Sequence, residues 1–585
     1  MCGIFGIIGN DSSAPQKVFQ GLKDIEYRGY DSWGIAYLQE SSAYPKNNSF
    51  EIIKDTGFLP KNLKLEDGNL ALGHTRWATH GGVTKANAHP HSACSGKIVL
   101  VHNGIVENYL EIKKSLKTHK FKSQTDTEVV SHLVEELLEK NNLKQAMAKA
   151  FKKLKGLNAF VVSDGKTLIA CKNSSPLVIG QSKDALYIAS DPNAILPFTN
   201  NLYFLEDSQL AVLGKDLEVF SVSNLSKVAV NFTKVDWDYK KSTLDKFPHF
   251  MLKEIFEQPK VIRAISKNEK EIEKVANLIE KAYGTFMIGC GSASYAALSG
   301  VYLFSKFAKK HVNFSIGSEF NYIEHYLTPK SLLIAVSQSG ETMDIIEPVK
   351  FAKEKKTKIV ALTNVLGSSL YRMSNYPLLL LAGPEKAVCA TKSFIAMLSN
   401  MIMLTFFVAE EKNKGVNILE KSSKEIERIL ENKEKIKGLA NKISNSSHIY
   451  ILGRGLSYTI ALESALKIKE ISYIHAEGFA SGELKHGVIA LVENGTPVIV
   501  FVPNDETKEA TLANAMEVKA RGAFVIGVGS ENNEAFDFFF EVKDFGASSM
   551  LPNTVFAQLL AYYLSIKLGL NPDKPRNLAK SVVVR

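Results

Sequence analysis

The cysteine at the second position, Cys2, is the strongest candidate nucleophile in this chain. Removal of the initiator methionine, which a small second residue favours, would leave Cys2 with a free α-amine. A thiol with a pKa of about 8.5 beside an amine with a pKa of about 8 carries its own general base. Such a residue could attack an amide carbonyl without help from a histidine. Many second-position cysteines have no chemical role, so Cys2 alone decides nothing.

Polar groups suited to an amino-acid substrate follow in three segments. The first, Gly73–His80 (GHTRWATH), contains Arg76, whose planar guanidinium matches an α-carboxylate. In the second, Asn103 and Gly104 end an apolar strand, where a side-chain amide and a backbone N–H could hold one oxyanion. In the third, Asp126 stands at the start of a helical pattern, either as a capping residue or, together with Arg76, as the counter-ion of an ammonium group.

Two Ser/Gly-rich turns in the second half of the chain predict a phosphate site. One turn follows the apolar run Leu332–Val336, the other follows Thr285–Ile288, and each precedes a helical pattern. Backbone N–H groups at a helix N-terminus, together with hydroxyl groups, are suited to a phosphate. Similar turns also occur without any ligand. The candidate residues are Ser337, Gln338, Ser339 and Thr342 in the first turn, and Cys290, Gly291, Ser292 and Ser294 in the second.

A possible acid–base group lies further along the chain. Glu463, Lys467 and Glu470 recur at steps of four and three, which places them on one helical face. Moving a proton between adjacent carbons of a sugar needs such a base. His486, between small residues in GELKHG, could also lie at a ligand. The alternative for the helical face is a solvated stripe of ion pairs.

The elements that must position these residues change character along the chain. The first 230 or so residues alternate short apolar strands with helical patterns at Ala14–Ile25 and Asp126–Leu138, which predicts an α+β layered domain. A polar stretch, Val235–Leu244, and a short amphipathic helix that Pro259 would end predict a linker. The strands are predicted at Ile4–Ile8, Ile98–Val101, Ala159–Val162 and Ala185–Ile188.

Beyond the linker, an apolar strand, a Gly/Ser-rich turn and a helix follow one another repeatedly, which predicts a parallel sheet wrapped by helices. The segment Ile449–Tyr458 (IYILGRGLSY) echoes Phe286–Ser292 (FMIGCGS) and indicates a duplicated α/β domain. The apolar stretch Ser393–Ala409 is too short for a bilayer span and predicts a buried core helix.

These motifs together resemble the class II glutamine amidotransferases, joined to two sugar isomerase (SIS) domains. The motifs are MCGIFG, YRGYDS, HTRWATHG, HNGIVEN and SQTDTE in the first half, and ALKIKEISYIHAE and GELKHG in the second. The resemblance runs from Cys2 to Lys580. It implies an N-terminal-nucleophile αββα glutaminase domain (2–234), a linker (235–262), two doubly wound SIS α/β domains (263–430 and 431–570) and a tail (571–585) that contributes to the isomerase site.

The resemblance also implies roles for individual residues of the first half. Cys2 attacks the γ-amide, Asn103 and Gly104 form the oxyanion hole, and Arg76 and Asp126 hold glutamine. The positions that line or gate the glutamine pocket in the family are Trp77, Thr79, His80 and Gly81.

For the second half, the resemblance implies that Glu470 is the base for proton transfer between C1 and C2, assisted by Lys467. His486 matches the ring-opening histidine and Lys580 the lysine that forms a Schiff base with the sugar ketone. Cys290 lines the sugar site without being catalytic. The segment VCATK places Val388 and Ala390 at the sugar site too.

Two departures from the family pattern bear on the sugar site. The family's usual CGTSY is here CGSASY, so either Ala293 is inserted or one hydroxyl contact is lost. In VCATK, Ala390 replaces a serine that would contact the sugar.

The implied reaction converts L-glutamine and D-fructose 6-phosphate to L-glutamate and D-glucosamine 6-phosphate, with ammonia passed internally, as the first step of the hexosamine (UDP-GlcNAc) pathway. No metal or organic cofactor is implied, and a homodimer is expected by similarity. Two alternatives remain: a related amidotransferase acting on another ketose phosphate, and a phosphosugar-binding regulator with a vestigial glutaminase.

Composition limits the other function classes. The 585 residues, 45% hydrophobic and 23% charged, are typical of a globular protein of several domains. The net charge of +10 comes from clusters interrupted by acids, without a nucleic-acid-binding signature, so no nucleic-acid partner is expected. Five scattered cysteines without a C-x-x-C pair, no secretory signal and no membrane span predict a cytoplasmic protein.

Overall fold

A computed structural model describes residues 2–10, 12–38, 50–173, 175–235 and 243–582. The chain divides into two compact units, Met1–Lys241 together with Ala579–Arg585, and Ser242–Leu578. Residues 236–242 of the predicted linker and 583–585 of the predicted tail lie outside the described residues.

The first unit alternates strands with short helices. Its strands are β1 (Gly3–Gly9), β2 (Ser32–Tyr37), β3 (Glu51–Thr56), β4 (Leu70–Arg76), β5 (His91–Ser92), β6 (Val99–Gly104), β7 (Asn158–Ser163), β8 (Leu168–Asn173), β9 (Val178–Gln181), β10 (Ala185–Ala189), β11 (Asn201–Phe204), β12 (Gln209–Leu213), β13 (Leu217–Ser221), β14 (Lys227–Val228) and β15 (Thr233–Lys234). Its helices are α1 (Ala14–Asp24), α2 (Tyr109–Ser115), α3 (Asp126–Leu138) and α4 (Leu143–Lys153). The four predicted strands are confirmed as β1, β6, β7 and β10.

These strands form two antiparallel sheets with helices outside. Among the described residues the orders are β15-β11-β9-β10-β1-β4-β2-β3 and β14-β13-β12-β8-β7-β6-β5. Apolar side chains of both sheets, such as Leu72 and Val101, share one buried cluster. Helix α1 packs on the other face of the first sheet, and α3 and α4 pack on that of the second. The unit therefore has the αββα layering that was predicted.

The second unit contains longer helices and parallel strands. Its strands are β16 (Gly284–Gly289), β17 (Asn313–Ile316), β18 (Ser331–Ser337), β19 (Lys358–Thr363), β20 (Tyr376–Leu379), β21 (His448–Gly453), β22 (His475–Ala480), β23 (Pro497–Val502), β24 (Phe524–Gly529) and β25 (Phe538–Glu541). Its helices are α5 (Phe250–Ser266), α6 (Glu269–Lys281), α7 (Ser292–Leu303), α8 (Gly317–Phe320), α9 (Met343–Glu354), α10 (Ser369–Met373), α11 (Lys392–Val408), α12 (Lys412–Glu431), α13 (Lys433–Ile443), α14 (Leu456–Ser472), α15 (Lys508–Lys519) and α16 (Met550–Lys567).

The predicted duplication is confirmed by the topology of the second unit. The sheets have the orders β17-β16-β18-β19-β20 and β22-β21-β23-β24-β25, with all neighbours parallel. Each is thus a doubly wound sheet of order 2-1-3-4-5. In such sheets ligands bind beyond the carboxyl ends of the strands, where the direction of winding reverses. The two segments β16–β20 and β21–β25, with their helices, are called the first and second SIS copies below.

Two predicted helices in this unit have different outcomes. The buried core helix predicted at Ser393–Ala409 is confirmed as α11, whose side chains are buried through most of its length. The predicted stop at Pro259 is wrong, because α5 continues through Pro259 to Ser266. Proline removes only the hydrogen bond to the Ile255 carbonyl, and the burial of the helix's apolar face outweighs this loss.

The segment before the C-terminus is fixed within the second unit rather than loose. The carboxylate of Asp573 accepts hydrogen bonds from the backbone N–H groups of Phe250 (2.8 Å) and Met251 (2.7 Å) at the start of α5. The guanidinium of Arg576 lies 4.2 Å from the ring centre of Tyr473, at the end of α14. Among the described residues, no helix is long and apolar enough to cross a membrane.

Candidate active sites

Cys2 directly precedes the central strand β1, which lies between β10 and β4. Its Sγ atom accepts a hydrogen bond from the backbone N–H of Trp77 at 3.2 Å. Burial raises the pKa of the Cys2 thiol, although the Trp77 hydrogen bond opposes this. The thiol is therefore protonated at neutral pH, and attack on an amide requires a base beside it.

Asn103 and Gly104 end β6, and the side chain of Asn103 contacts Cys2. The Nδ2 group of Asn103 donates to the Cys2 carbonyl at 3.1 Å. Gly104 has a φ of 135°, and an added Cβ would lie 2.0 Å from the Leu157 carbonyl oxygen, so only glycine fits. One of the two predicted oxyanion donors, Asn103, therefore contacts the residue that carries the predicted nucleophile, and Gly104 follows it in β6.

A buried histidine fixes the orientation of the Asn103 amide. Nε2 of His74 lies 2.9 Å from the His102 carbonyl oxygen and 3.1 Å from Oδ1 of Asn103. Since a carbonyl only accepts, Nε2 must carry the proton and donate to both oxygens. Burial lowers the pKa of His74 to about 3, so the ring is neutral. Its single N–H thereby turns Nδ2 of Asn103 towards Cys2.

Arg76 is buried at the end of β4 and holds the loop that follows it. Its guanidinium donates to the carbonyls of His80 (2.5 Å), Gly81 (3.3 Å) and Gly82 (3.3 Å). The imidazole of His80 contacts the ring of Tyr109, with centroids 5.2 Å apart. Arg76 therefore shapes the loop that carries the predicted pocket residues.

The remaining predicted glutamine-binding residues lie at different depths. Asp126 is buried at the first position of α3, and its Oδ2 accepts from the Val106 N–H at 2.7 Å. Trp77 contacts Cys2 directly and packs edge-on against Tyr30. Thr79 is exposed. The N-cap of α3 is Thr125 rather than Asp126, so the Asp126 carboxylate is not occupied in capping its own helix.

Two residues of the YRGYDS motif, for which the sequence predicts no role, support the backbone around Cys2. In YRGYDS, the guanidinium of Arg28 donates to the Cys2 carbonyl (3.3 Å) and pairs with Asp191 (3.2 Å). The carboxylate of Asp31 accepts from the Ala78 N–H at 2.8 Å. These contacts hold the backbone on both sides of the Cys2 thiol. The sequence signal for both residues is the YRGYDS motif itself, in which a basic and an acidic side chain stand close together.

In the second unit, the predicted phosphate turn lies after β18, at the edge of the first SIS copy where its winding reverses. Oγ of Ser337 accepts from the Gly340 N–H (3.1 Å) and contacts Oγ1 of Thr342 (3.1 Å), the N-cap of α9. Gly340 has a φ of 66°, and an added Cβ would lie 2.1 Å from Oγ of Ser368. Gln338 accepts from the Asn364 N–H through its carbonyl. This turn presents hydroxyls and N–H groups at a twelve-residue helix N-terminus.

The second predicted turn follows β16. Gly291, with a φ of 54°, caps α7, which begins at Ser292. In the second SIS copy, Gly455 has a φ of 56° and the helix again begins at the next residue. Ala293 therefore lies inside a regular first helical turn, which favours a lost hydroxyl over an insertion. Burial raises the pKa of Cys290 to about 11, so this thiol is a poor nucleophile.

Lys467 and its carboxylates form a buried cluster rather than a solvated stripe. The Lys467 ammonium contacts the carboxylates of Glu463 (3.4 Å) and Glu470, and donates to Oγ of Ser292 at 3.1 Å. Ser292 in turn donates to Glu463 at 3.0 Å. Lys467 has no exposed surface, and Glu463 is 1% exposed, whereas the Glu470 side chain is 19% exposed and so accessible to a substrate.

The charges of this cluster stabilise one another. Burial lowers the pKa of Lys467, but the carboxylates of Glu463 and Glu470 outweigh burial and raise it. Burial raises the pKa of Glu463 to about 7, against the opposing effect of Lys467. Lys467 therefore stays protonated, and Glu470 is the group in the cluster that faces outward.

The other predicted sugar-site residues are less closely grouped. The Val388 N–H donates to the Asp573 carbonyl at 3.0 Å, and Ala390 packs on the core. His486 is exposed at the end of a short 3-10 helix, and no contact among the described residues links it to Lys467. Lys580 falls within the first unit.

Comparisons with known proteins match both halves of the chain. Residues 278–406 and 442–539 match the SIS domain family, and residues 74–197 match the glutamine amidotransferase domain family. The solved C-terminal domain of glucosamine-fructose-6-phosphate aminotransferase from Francisella tularensis is 33% identical, with a TM-score of 0.52, and covers 57% of this chain and 100% of that chain.

Full-length relatives extend the match to the whole chain. The glutamine–fructose-6-phosphate aminotransferase (isomerizing) of Pyrococcus horikoshii is 41% identical, and that of Fusobacterium nucleatum is 39% identical, each over 100% of both chains. This chain belongs to the family of isomerizing glutamine–fructose-6-phosphate aminotransferases.

Proposed function

We propose that this enzyme transfers the amide nitrogen of L-glutamine to D-fructose 6-phosphate and releases L-glutamate and D-glucosamine 6-phosphate. The observation that carries the proposal is that one chain, matched over its full length by relatives with this name, holds both required sites. Cys2 lies beside Asn103 in the first unit, and the second unit combines a phosphate-type turn with the Lys467 cluster.

In the first unit, the Cys2 thiol attacks the γ-amide carbon while its proton passes to the free α-amine. The tetrahedral oxyanion accepts hydrogen bonds from Nδ2 of Asn103 and the N–H of Gly104. The amine returns the proton to the leaving nitrogen, and ammonia departs as a thioester forms. Water then hydrolyses the thioester to glutamate. Arg76 and Asp126 hold the α-carboxylate and the α-ammonium group.

In the second unit, the hydroxyls and N–H groups of Ser337–Thr342 bind the sugar phosphate. The family resemblance assigns ring opening to His486, and to Lys580 the formation of an imine with the C2 ketone, which releases water. Ammonia delivered internally displaces Lys580. Glu470 then moves a proton from C1 to C2, which converts the ketose imine into the aldose amine. Protonated Lys467 holds the Glu470 carboxylate in place.

Isotope transfer tests this proposal. Glutamine labelled with 15N at the amide is supplied with fructose 6-phosphate, and the products are analysed by mass spectrometry. We expect 15N in glucosamine 6-phosphate, and loss of both products in Cys2→Ala. Unlabelled amino sugar, or undiminished glutamate release by Cys2→Ala, would overturn the assignment.

Another ketose phosphate is the second candidate acceptor. Ala390 and Ala293 stand where the family pattern has hydroxyl side chains, and both changes fall at the predicted sugar site. A panel of ketose phosphates, compared by kcat/KM, separates the candidates. Fructose 6-phosphate ranks first if the proposal is right.

We also propose that the enzyme works in the cytoplasm as a homodimer. All five cysteines are free thiols, as is usual in a reducing compartment. Light scattering after size-exclusion chromatography measures the oligomeric state, and a mass near twice 64.6 kDa is expected.

A further inference from the structure

Four side chains with metal-binding atoms meet near α3, on the helical layer of the first unit. They are Cys94, His119, His132 and Glu135, and one ligand atom from each lies within 4.8 Å of all the others. Cys94 lies in the turn between β5 and β6, His119 in the connection from α2 to α3, and the other two on α3 itself. The sequence implied no metal, because these residues follow no zinc-binding spacing.

The distances within this cluster approach those of a tetrahedral zinc site. Sγ of Cys94 lies 3.6 Å from Nδ1 of His132. Oε2 of Glu135 lies 3.3 Å from Nδ1 of His119 and 3.8 Å from Nδ1 of His132. Zinc–ligand bonds of roughly 2.0 to 2.3 Å place tetrahedral ligand atoms roughly 3.3 to 3.8 Å apart.

Backbone hydrogen bonds hold two of the ligands in place. The carboxylate of Glu135 accepts from the N–H groups of Cys94 (3.0 Å) and Ser95 (2.7 Å), and Sγ of Cys94 accepts from the Lys120 N–H at 3.4 Å. These hydrogen bonds hold Oε2 of Glu135 near Nδ1 of His119 and of His132.

His132 has the environment of a metal-bound imidazole. Its side chain is 1% exposed, Nδ1 faces the cluster, and Nε2 lies 3.6 Å from Oε1 of Glu128. The Glu128 carboxylate is itself held by hydrogen bonds from the backbone N–H groups of Lys122 (2.7 Å) and Ser123 (2.6 Å). A carboxylate behind the second ring nitrogen fixes the tautomer of a zinc-binding histidine.

We propose that Cys94, His119, His132 and Glu135 bind one Zn²⁺ in a structural site. The combination of thiolate, imidazole and carboxylate favours zinc over Mg²⁺ or Ca²⁺, which prefer oxygen ligands alone. Four protein ligands indicate a structural rather than a catalytic role. The ion joins the β5–β6 turn and the α2–α3 connection to α3, whose first residue is Asp126.

The test uses the reduced full-length enzyme, stripped of metal with a chelator. Wild type, Cys94→Ala and Glu135→Gln are compared with Glu136→Gln, a control one position along the same helix. Glu136 approaches His119 only at Nε2, at 3.8 Å. Zinc content after dialysis, and the thiolate-to-metal absorption band with Co²⁺, are measured for each, and circular dichroism checks that each is folded.

We expect about one zinc per chain in wild type and Glu136→Gln, with a cobalt–thiolate band. Cys94→Ala loses the band, and Glu135→Gln binds zinc at least about tenfold more weakly. Zinc raises the Tm of the first unfolding transition by about 3 °C or more in wild type but does not raise it in Cys94→Ala. Absence of zinc binding by wild type, or a cobalt–thiolate band that persists in Cys94→Ala, would overturn the proposal.

Discussion

The two SIS copies share one scaffold but offer different chemistry. Both sheets have the order 2-1-3-4-5, and in both the first helix begins directly after a glycine of positive φ, Gly291 or Gly455. Seven residues after the first residue of the helix, α14 has Glu463 where α7 has Ser299. At eleven residues, α14 has Lys467 where α7 has Leu303. Only the second copy has the acid–base cluster on this helix.

The turns that follow β18 in the first copy and β23 in the second also differ, and here the first copy has the residues suited to a ligand. In the first copy the turn Ser337–Thr342 presents hydroxyls and ends at the N-cap Thr342. In the second copy the N-cap Thr507 stands equally far from its strand, but its hydroxyl donates to Asp505, and an acidic turn repels phosphate. We therefore propose that the two copies divide the work, with the turn of the first copy binding phosphate and the first helix of the second copy carrying the group that transfers a proton.

Removing the base of the second copy tests this division most severely. Glu470→Gln keeps the shape of the side chain but removes the proton acceptor. We expect glucosamine 6-phosphate formation to fall by about 10² to 10⁴, while glutamate release continues. Lys306 stands just after α7, as far from the first residue of that helix as Glu470 is from the first residue of α14. Lys306→Ala should change the rate less than about threefold. Similar losses in both variants would contradict the division.

Thr342→Ala tests the phosphate turn of the first copy. Loss of one hydroxyl contact to a dianion should raise KM for fructose 6-phosphate roughly tenfold, with kcat little changed. Thr507→Ala is the matched variant in the second copy and should leave KM unchanged. Steady-state kinetics at saturating glutamine measure both. An equal rise in KM for Thr507→Ala would show that both turns bind phosphate.

Substitution of the two equivalent glycines, Gly291 and Gly455, distinguishes an effect on stability, expected in both copies, from an effect on sugar binding, expected in one. Gly291→Ala and Gly455→Ala each place a Cβ on a residue of positive φ, which should cost about 1 to 2 kcal/mol in both copies. Calorimetry should therefore show similar losses of Tm. Only Gly291→Ala should also raise KM for fructose 6-phosphate. A KM effect of Gly455→Ala alone would reverse the assignment of the two copies.

The smallest expected effect is a pH dependence that belongs to the second copy. Burial raises the pKa of Glu463 from its usual 4.5 to about 7, so the folded state holds a proton that the unfolded state releases. Stability from this group is therefore present below pH 4.5 and falls as pH rises to about 7. Glu463→Gln should remove this fall in stability. The difference between the Tm at pH 5 and the Tm at pH 7.5 should therefore shrink by about 1 to 2 °C relative to wild type. Ser299→Ala should leave it unaltered.

Much of the fold could be predicted, because its periodic signals are local. The strands predicted at Ile4–Ile8 and Ala185–Ile188 are short apolar runs. Helix α3 begins at Asp126, within the polar segment SQTDTE that marks a helix start. Helix α4 was not predicted, although Asn142 and Gln145 form a capping box that marks its start. The helix through Pro259 was predicted to end there, because local propensity takes no account of the tertiary packing of α5.

Burial and long-range contacts could not be predicted from spacing. The pattern of Glu463, Lys467 and Glu470 allows a solvated face, but α7 packs against it and contributes the Ser292 hydroxyl, which leaves Lys467 and Glu463 buried. The contact between Asn103 and Cys2 likewise joins different sheets. The motifs predict which residues form the sites, whereas the mutual geometry of those residues depends on strand order.

The central claim is that one chain couples glutamine hydrolysis to amination of a sugar phosphate. The most direct measurement follows glutamate and glucosamine 6-phosphate in parallel, using the purified, N-terminally processed enzyme with glutamine and fructose 6-phosphate. Equal yields of both products are predicted. Glutamate without amino sugar would contradict the claim, because the first unit would then act without fructose 6-phosphate as its acceptor.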